Sequence, residues 1–237
     1  MTEDTMTEDT MTETALPSPG ATERTTVRRI PEKAVNDRST GYAILDAGFV
    51  AHVSVVDDTG QPYVVPVGYA RDGDRVLFHG STGSRLFRGL AEGQPMCLTV
   101  TLLDGMVLAR STFESSMNYR GVMVLGSAMV LEGDDKDTAL EVITEHLLPG
   151  RWSEARHPNK KELAATLVLA LDLTELSVKL SEGPPEDEEQ DDIARPIWAG
   201  VVPLVETFGA PVSAPDLVEQ YPVPEYVLSW RRPDPGR

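Results

Sequence analysis

The sequence predicts a mainly β fold, an antiparallel barrel or sandwich, on two observations. From Phe49 to Val130 the apolar residues form short runs rich in Val, typical of strands. Tight-turn signals separate these runs, at 57–60 (Asp-Asp-Thr-Gly) and 72–74 (Asp-Gly-Asp). Six closely spaced strands with short turns favour antiparallel pairing over a parallel α/β sheet.

The predicted strands follow one another with few interruptions. A hairpin is expected at Asp104-Gly105, between the runs 96–102 and 106–111. Two long strands are expected at 118–131 and 165–180, and peripheral helices at 31–47, 84–92 and 134–148. The chain is thus divided into an acidic disordered tail (1–26), a barrel domain (27–181), an acidic solvated loop (182–192) and an arm packed on the barrel (193–237).

The charge of the chain is strongly negative but unevenly distributed. The 237 residues carry a net charge of -17 at pH 7. Residues 1–20 hold five acids and residues 182–192 hold seven, with no base in either segment. The body is therefore only mildly acidic, and without a basic patch interleaved with aromatic residues we expect no nucleic-acid partner.

Cellular location and metal binding are constrained by what the sequence lacks. The single cysteine, Cys97, permits no internal disulfide or multi-cysteine metal site, and we expect it in the core. None of the four histidines has a metal-ligand spacing, so no metal site is expected. No apolar run is long enough for a membrane span and no signal peptide is visible, which predicts a cytoplasmic protein without membrane contact.

One segment, Arg75 to Leu86, carries the clearest functional signal. A short apolar strand runs into His79, then into a loop of Gly, Ser and Thr, and then into Arg85 at a helix start. Small residues let a ligand approach the backbone, hydroxyl and N–H groups donate to it, and arginine supplies a bidentate fork. The segment indicates a site for a phosphate monoester, with a plain strand, polar turn and capped helix as the alternative.

A second polar segment precedes a strongly apolar strand. It brings Asn118, Tyr119 and Arg120 together as donors. These side chains fit over a polar aromatic ligand, although a polar hairpin end with a solvated arginine has the same pattern.

Several short motifs in this order resemble the FMN-binding split β-barrel family, the pyridoxamine 5′-phosphate oxidase-related proteins, and within it the flavin-nucleotide-binding branch that includes nitroimidazole-resistance proteins. They spread over about residues 30–205. The motifs are Pro66-Val-Gly-Tyr69, Phe78-His-Gly-Ser81 with Ser84-Arg-Leu86, Ser116-Met-Asn-Tyr-Arg120 with Val124-Leu-Gly126, Pro149-Gly-Arg-Trp152 and Ile197-Trp-Ala-Gly-Val-Val-Pro-Leu204.

The resemblance implies a six- or seven-stranded antiparallel split barrel with peripheral helices, in a homodimer that binds two FMN molecules at its interface. It places His79, Ser81, Ser84 and Arg85 on the FMN phosphate. It places the backbone of Val65, Pro66 and Val67 along the isoalloxazine edge, and Asn118, Tyr119 and Arg120 near the flavin, from the same or the second subunit. Many relatives have Gly-Arg-Lys where this chain has Gly83-Ser-Arg85, so one basic group is missing.

The function implied is that of an FMN-dependent oxidoreductase acting on a small molecule, with no identifiable catalytic residue. Two alternatives remain: a reductase that uses the deazaflavin F420, and a flavin- or haem-binding protein without turnover.

Overall fold

The computed structural model describes residues 15–218 and 221–231, which form one curled antiparallel sheet of nine strands with helices around it. The order along the sheet is β6-β7-β3-β2-β1-β4-β5-β8, and β9 pairs with β4. The strands are β1 (Val50–Val56), β2 (Pro62–Asp72), β3 (Arg75–Ser81), β4 (Pro95–Leu108), β5 (Ser116–Ser127), β6 (Met129–Val130), β7 (Thr166–Asp172), β8 (Glu175–Ser181) and β9 (Gly200–Pro203).

The split-barrel fold predicted from the resemblance is confirmed, with nine strands instead of six or seven. The sheet curls around a central core, because alternate residues of the strands point inward. Tyr69 and Phe78 are the largest side chains of this core, and the hydroxyl of Tyr69 donates to the carbonyl oxygen of Leu45 at 2.6 Å.

Seven helices surround the sheet within the described part of the chain. Their bounds are α1 (Arg38–Ala47), α2 (Arg85–Ala91), α3 (Gly133–Leu147), α4 (Arg151–Glu154), α5 (Lys160–Ala164), α6 (Gln190–Ile193) and α7 (Glu225–Leu228). The start of α1 is capped by Asp37, whose carboxylate accepts from the backbone N–H groups of Ser39 and Thr40. A second apolar core lies between α3 and the outer face of β2, β3 and β7, and contains Leu77, Ile143 and Val168.

The predicted hairpin at Asp104-Gly105 is wrong, because β4 runs without a break through both residues. A bulge between Leu103 and Gly105 shifts the register with β5 instead. A Cβ atom on Gly105 would lie 2.8 Å from the carbonyl oxygen of Val202 in β9. The glycine therefore permits the close approach of a neighbouring strand. In the sequence, a glycine used in this way cannot be distinguished from a glycine in a tight turn.

The predicted single strand over 165–180 is also wrong, since β7 and β8 are separated by a turn. Leu173 in this turn is fully buried, and its N–H donates to the carbonyl oxygen of Asp74 at 2.9 Å. Because this turn residue is apolar, the pattern of hydrophobic residues does not reveal the boundary between β7 and β8. Similarly, the strand expected over 118–131 is divided into β5 and β6 at Ala128.

Residues 15–26, the described part of the predicted acidic tail, make contacts with the barrel. The N–H of Gly20 donates to the carbonyl oxygen of Leu176 at 2.7 Å, and Thr25 is buried. Arg24 pairs with Glu175 of β8, whose pKa is lowered by this pair and by the Thr22 hydroxyl. Residues 15–26 thus line the barrel, and residues 1–14 lie outside the described residues.

The acidic loop 182–192 is only partly solvated, because Asp187 is anchored. Its side chain is 1% exposed and accepts from the backbone N–H and the guanidinium of Arg110, at 2.8 and 3.0 Å. Burial acts to raise the pKa of Asp187, but these hydrogen bonds and one from Ser111 outweigh it and lower the pKa. The loop is therefore fixed at this point to the segment before β5.

The C-terminal arm contributes structure that its sequence did not predict. Its β9 extends the sheet beside β4, and α7 lies near α4, where the Tyr226 hydroxyl contacts Glu154. The indole N–H of Trp230 donates to the carbonyl oxygen of Pro149 at 3.0 Å, and Phe208 packs against Phe49. These contacts connect the arm to the body at both ends.

Helix α2 packs directly on β3, and Gly80 makes this possible. A Cβ atom on Gly80 would lie 2.3 Å from the ring of Phe87, a buried residue of α2. Phe87 in turn packs against Phe78, with ring centroids 6.0 Å apart.

We expect Gly80→Ala to displace α2 from β3, because the new methyl group would overlap the Phe87 ring. The loss of unfolding free energy should be about 1–3 kcal/mol, typical of overpacking. Urea denaturation measures it, with Gly83→Ala as the matched control, since a Cβ there has only the Ser81 hydroxyl oxygen near it, at 3.5 Å. Equal stability of the two variants would contradict the packing argument.

Candidate functional site

The two halves of the sheet separate between β2 and β3, and this split is the centre of the candidate site. β3 pairs with β2 only through Tyr69–Asp72, whereas β1 pairs with Pro62–Gly68 on the other side of β2. Among the described residues, the β3-facing edge of Pro62–Gly68 therefore has no strand partner. Backbone groups alternate in direction along a strand, and Gln61 already accepts from Asp57 on the β1 side, so this edge carries the groups of Pro62, Val64, Pro66 and Gly68. The two prolines have no N–H, so the edge offers the N–H groups of Val64 and Gly68 as donors and carbonyl oxygens as acceptors.

β3 pairs with β7 along its whole length, and its pairing with β2 stops at Phe78, so His79 and Ser81 lie beyond the last residue paired with β2. His79 pairs with Val168 and Ser81 with Thr166. The loop that follows is shaped by its own hydroxyls. The Ser81 hydroxyl accepts from the N–H of Gly83 at 3.1 Å, and the Ser84 hydroxyl caps α2 by accepting from the N–H of Phe87 at 3.5 Å.

Arg85 lies at the end of the split with its charge uncompensated. Its guanidinium carbon lies 4.5 Å from the centroid of the Tyr63 ring, a cation–π contact that orients the side chain. Neither Arg85 nor Arg88, one turn further along α2, has an ion pair with any described residue. Two guanidinium groups without an ion pair are candidates for binding an anion, although Asp57, Asp58 and Glu92 line the same cleft.

These arginines line a cleft of about 680 Å³ between α2 and the β1–β2 hairpin, which we name the α2 cleft. Its residues are Val55, Asp57, Asp58, Tyr63, Val65, Ser84, Arg85, Leu86, Arg88, Gly89, Glu92, Gly93 and Gln94. The cleft is open to solvent and lies next to the split, so a ligand can reach both.

The imidazole of His79 is held toward its neutral form. Desolvation by the surrounding protein lowers the pKa of His79, although the residue keeps contact with solvent. A neutral imidazole has one donor and one acceptor nitrogen, so His79 can donate a hydrogen bond to a phosphate without adding a full charge.

The structure places seven of the ten predicted site residues around the split. Val65, Ser84 and Arg85 line the α2 cleft. His79 and Ser81 lie on β3 across the gap, and Pro66 is exposed on β2. The side chain of Val67 is buried in the core, and its backbone groups point toward β1, where it pairs with Ala51.

The other three predicted residues lie elsewhere in the same chain. Asn118 and Arg120 line a second cleft, of about 500 Å³, near α1 and β9, and Tyr119 lies between them on β5. Arg120 forms a bidentate pair with Asp104, at 2.9 and 2.7 Å, and the amide nitrogen of Asn118 donates to the carbonyl oxygen of Gly183 at 3.0 Å. Within one chain this group is separate from the split.

Two residues of the site were missed from the sequence, Arg88 and Tyr63. Arg88 follows Arg85 by three residues on the same helix, a spacing that places both side chains on one face. That signal was present in the sequence. The position of Tyr63 beneath Arg85 depends on how the hairpin packs against α2, and no local sequence pattern predicts that packing.

The described residues contain no group of three or more His, Cys, Asp or Glu side chains that could hold a metal ion. Every helix within residues 15–218 and 221–231 is too short or too polar to cross a bilayer. Cys97 is half-buried on the outer face of β4, outside the core where it was expected, and desolvation raises the pKa of its thiol.

A split barrel with a free strand edge beside a cationic loop defines the class of flavin-binding split-barrel proteins. The family model described as pyridoxamine 5′-phosphate oxidase matches residues 37–180, and the chain belongs to this family. A search of curated proteins found no match.

Two solved structures are similar over most of the chain. The FAD and haem binding protein from Mycobacterium smegmatis is 45% identical, with a TM-score of 0.79, over 83% of this chain and 96% of that one. The flavocytochrome Anf3 from Azotobacter vinelandii is 40% identical, with a TM-score of 0.83, over 91% of this chain and 99% of that one.

A third structure supports the fold alone. The 5-nitroimidazole antibiotic resistance protein from Bacteroides thetaiotaomicron, described as putative, is 20% identical, with a TM-score of 0.53, over 62% of this chain and 86% of that one.

Proposed function

We propose that the protein is a flavin-binding redox protein whose cofactor lies in the split between β2 and β3. The observation that carries this proposal is the free backbone edge of Pro62–Gly68 beside the unpaired Arg85. A flavin needs both parts, since its ring system has donors and acceptors on one edge and its side chain ends in a phosphate.

The residues of the split fit this cofactor in a defined order. The carbonyl oxygen of Pro66 and the N–H groups of Val64 and Gly68 face the split and would bind the polar edge of the ring system, whereas the backbone groups of Val65 and Val67 point toward β1. His79 and Arg85 would hold the phosphate, with N–H groups of the loop between them. Flavin itself supplies electron or hydride transfer, and the protein supplies orientation and charge. We assign no catalytic side chain, so reduction of a small molecule is the function we favour and electron storage or sensing is its alternative.

A haem is the second cofactor we propose, because the two relatives at 45% and 40% identity are named for haem binding and as a flavocytochrome. All four histidines are described, and two of them are engaged. His146 contacts the carbonyl oxygen of Gly48 at 2.8 Å, and His157 that of Trp152 at 3.1 Å. His52 and His79 have no hydrogen-bonding partner among the described residues and are the candidate iron ligands. His52 is the first choice, since a His79 bound to iron would leave the flavin phosphate to Arg85 and the loop N–H groups.

We also propose a homodimer whose interface is the outer face of the sheet. The rows of this face that cross β2, β1, β4 and β5 carry no charged side chain, and Val50 and Val64 are 50% and 61% exposed there. The rows contain Val64, Ser54, Cys97 and Leu125, then Pro66, His52, Thr99 and Met123. A second copy that covered this face could bring Asn118, Tyr119 and Arg120 to the flavin of its partner.

Arg85→Ala should weaken FMN binding by about 1.5–3 kcal/mol, because it removes a charge-assisted contact to the phosphate. Fluorescence titration of the full-length chain measures this, with riboflavin as the control ligand. Riboflavin lacks the phosphate, so its affinity should change little. Equal FMN affinities in wild type and variant would reject Arg85 as a phosphate ligand.

The absorption spectrum of the purified protein should show a flavin spectrum together with a Soret band. His52→Ala or His79→Ala should reduce or shift the Soret band, while His157→Ala should leave it unchanged. A flavin spectrum that shows no haem after addition of hemin would reject the haem proposal and leave the flavin proposal intact. A colourless protein that binds F420 and no flavin would reject the flavin.

Light scattering should give a mass near twice that of the 25.8 kDa chain at micromolar concentration. Val64→Glu and Val50→Glu should lower the mass toward that of one chain, since each places a charge on the proposed interface. A monomeric wild type would contradict the dimer.

A further inference from the structure

The second cleft, of about 500 Å³, lies in one chain away from the split, and we name it the α1 cleft. It is bounded by α1, by parts of β4, β5 and β8, and by β9 of the C-terminal arm. The apolar part of its wall consists of Ala43, Ile44, Leu180, Val201 and Pro203. A cleft of this volume, apolar with a few polar groups, is typical of a site for a small organic molecule.

Two polar side chains of β5 line this cleft from the side of the barrel interior. Asn118 and Arg120 alternate along the strand with Tyr119 and share the inward side with the buried residues Val122 and Val124. The Cα atoms of Asn118 and Arg120 are about 6.6 Å apart at the usual rise of a strand. The two side chains therefore reach the cleft side by side, and one small group of a ligand can bind both.

Asn118 presents a hydrogen-bond acceptor to the cleft. Its amide nitrogen donates to the carbonyl oxygen of Gly183 at 3.0 Å. A carbonyl oxygen can only accept, so this bond fixes which end of the amide is the nitrogen. The amide oxygen Oδ1 has no hydrogen-bonding partner among the described residues. It is therefore left to accept from a ligand.

Arg120 presents a donor next to this acceptor. Its Nε and Nη2 atoms donate to the two carboxylate oxygens of Asp104, at 2.9 and 2.7 Å. The third nitrogen, Nη1, has no partner within the described part of the chain. Because Asp104 compensates the charge of the guanidinium, Nη1 supplies an N–H donor to the cleft with little net positive charge.

The start of α1, which also lines the cleft, has its donors occupied. The backbone N–H groups of Ser39 and Thr40 donate to the carboxylate of Asp37, at 3.3 and 2.9 Å. The hydroxyls of the same two residues also donate to Asp37, at 2.5 and 2.8 Å. Only oxygen lone pairs of Ser39 and Thr40 remain for a ligand, so this helix start does not favour an anion.

The charged groups around the α1 cleft favour a neutral ligand. Glu182 lines the cleft, is exposed, and has no ion pair with a described residue. Lys33 donates to the hydroxyl of Ser181 at 2.9 Å but does not itself line the cleft. With Arg120 paired to Asp104, the lining residues carry one net negative charge, which repels an anionic ligand.

The segments that close the α1 cleft are held by backbone contacts. β9 pairs with the end of β4, and the N–H of Leu204 donates to the carbonyl oxygen of Asp104 at 2.9 Å. Gly183, at the start of the acidic loop, is held by Asn118. The cleft is therefore preformed, and a ligand needs little rearrangement to enter it.

We propose that the α1 cleft binds a neutral aromatic ring that carries a carboxamide. The carboxamide oxygen accepts from Nη1 of Arg120, its N–H donates to Oδ1 of Asn118, and the ring packs against the apolar wall beside Ile44. A carboxylate on the same ring has no N–H for Asn118 and adds a negative charge. An ester keeps the oxygen for Arg120 but lacks the N–H. The proposal does not depend on the flavin site at the split.

The test titrates nicotinamide, methyl nicotinate and nicotinate into the full-length chain by isothermal calorimetry. Wild type should bind nicotinamide with a Kd of about 1 mM, the range of a small fragment, and the ester about fivefold more weakly. Nicotinate should bind most weakly of the three. These ligands share one ring, so the differences report the group bound by Asn118 and Arg120.

Two variants separate the donor from the acceptor. Asn118→Leu should weaken nicotinamide about fivefold and leave methyl nicotinate within about twofold, because the ester makes no bond to Oδ1. Arg120→Lys keeps a charge opposite Asp104 but removes Nη1, and it should weaken both ligands. Asn36→Leu, the same substitution at an exposed asparagine that does not line the cleft, should weaken neither. Thermal melting of each variant verifies its folding.

Three results would overturn the carboxamide site. The first is wild type that binds nicotinate as tightly as nicotinamide, or that binds neither. The second is an Asn118→Leu variant with unchanged nicotinamide affinity, or with equal losses for nicotinamide and its ester, which would indicate a general distortion of the cleft. The third is displacement of nicotinamide by FMN, which would assign the cleft to the flavin of a partner subunit.

Discussion

The structure depends on one strand that belongs to two sheets. β2 pairs with β1 over Pro62–Gly68 and with β3 over Tyr69–Asp72, so its partner changes sides at Tyr69. Tyr69 is fully buried, and its hydroxyl is satisfied by the carbonyl oxygen of Leu45 in α1. This buried and hydrogen-bonded ring fixes the point of divergence. The free edge of β2 before Tyr69 and the end of the β2–β3 pairing at Phe78 follow from it.

The same divergence positions the cationic loop. Once β3 has left β2, its end at Ser81 leads into a turn that returns α2 over Gly80, with Phe87 in contact with the glycine backbone. Helix α2 then lies beside the β1–β2 hairpin, where Tyr63 supports Arg85. The orientation of Arg85, on which the proposed phosphate site depends, is thus a consequence of sheet geometry as much as of the loop's residues, since Tyr63 of the hairpin contacts it.

The sequence predicted those features that local chemistry decides. Turns at 57–60 and 72–74, the capped start of α2 and the helix near 134–148 were all visible in residue types. Boundaries that depend on tertiary contacts were not. The β7–β8 turn contains a buried leucine, Leu173. Gly105 lies within β4 and permits the close approach of β9, so it does not form a hairpin turn. Likewise, the sequence could predict that Ser84 and Arg85 line a site. It could not predict Tyr63, because the contact of Tyr63 with Arg85 forms only when the hairpin packs against α2.

Charge pairing is the reason that we place the proposed anion site in the α2 cleft, although the chain is acidic. Most arginines of the body are already paired, as Arg120 is with Asp104 and Arg110 with Asp187. A paired guanidinium adds little net charge to a site, so Arg120 is suited to shape and hydrogen bonding more than to phosphate neutralisation. Arg85 and Arg88 have no ion pair with a described residue, and of the carboxylates that line the same cleft, Asp57 is occupied by its own turn. Which arginines remain without an ion pair, more than how many arginines the chain has, is therefore the basis on which we place a phosphate-bearing cofactor.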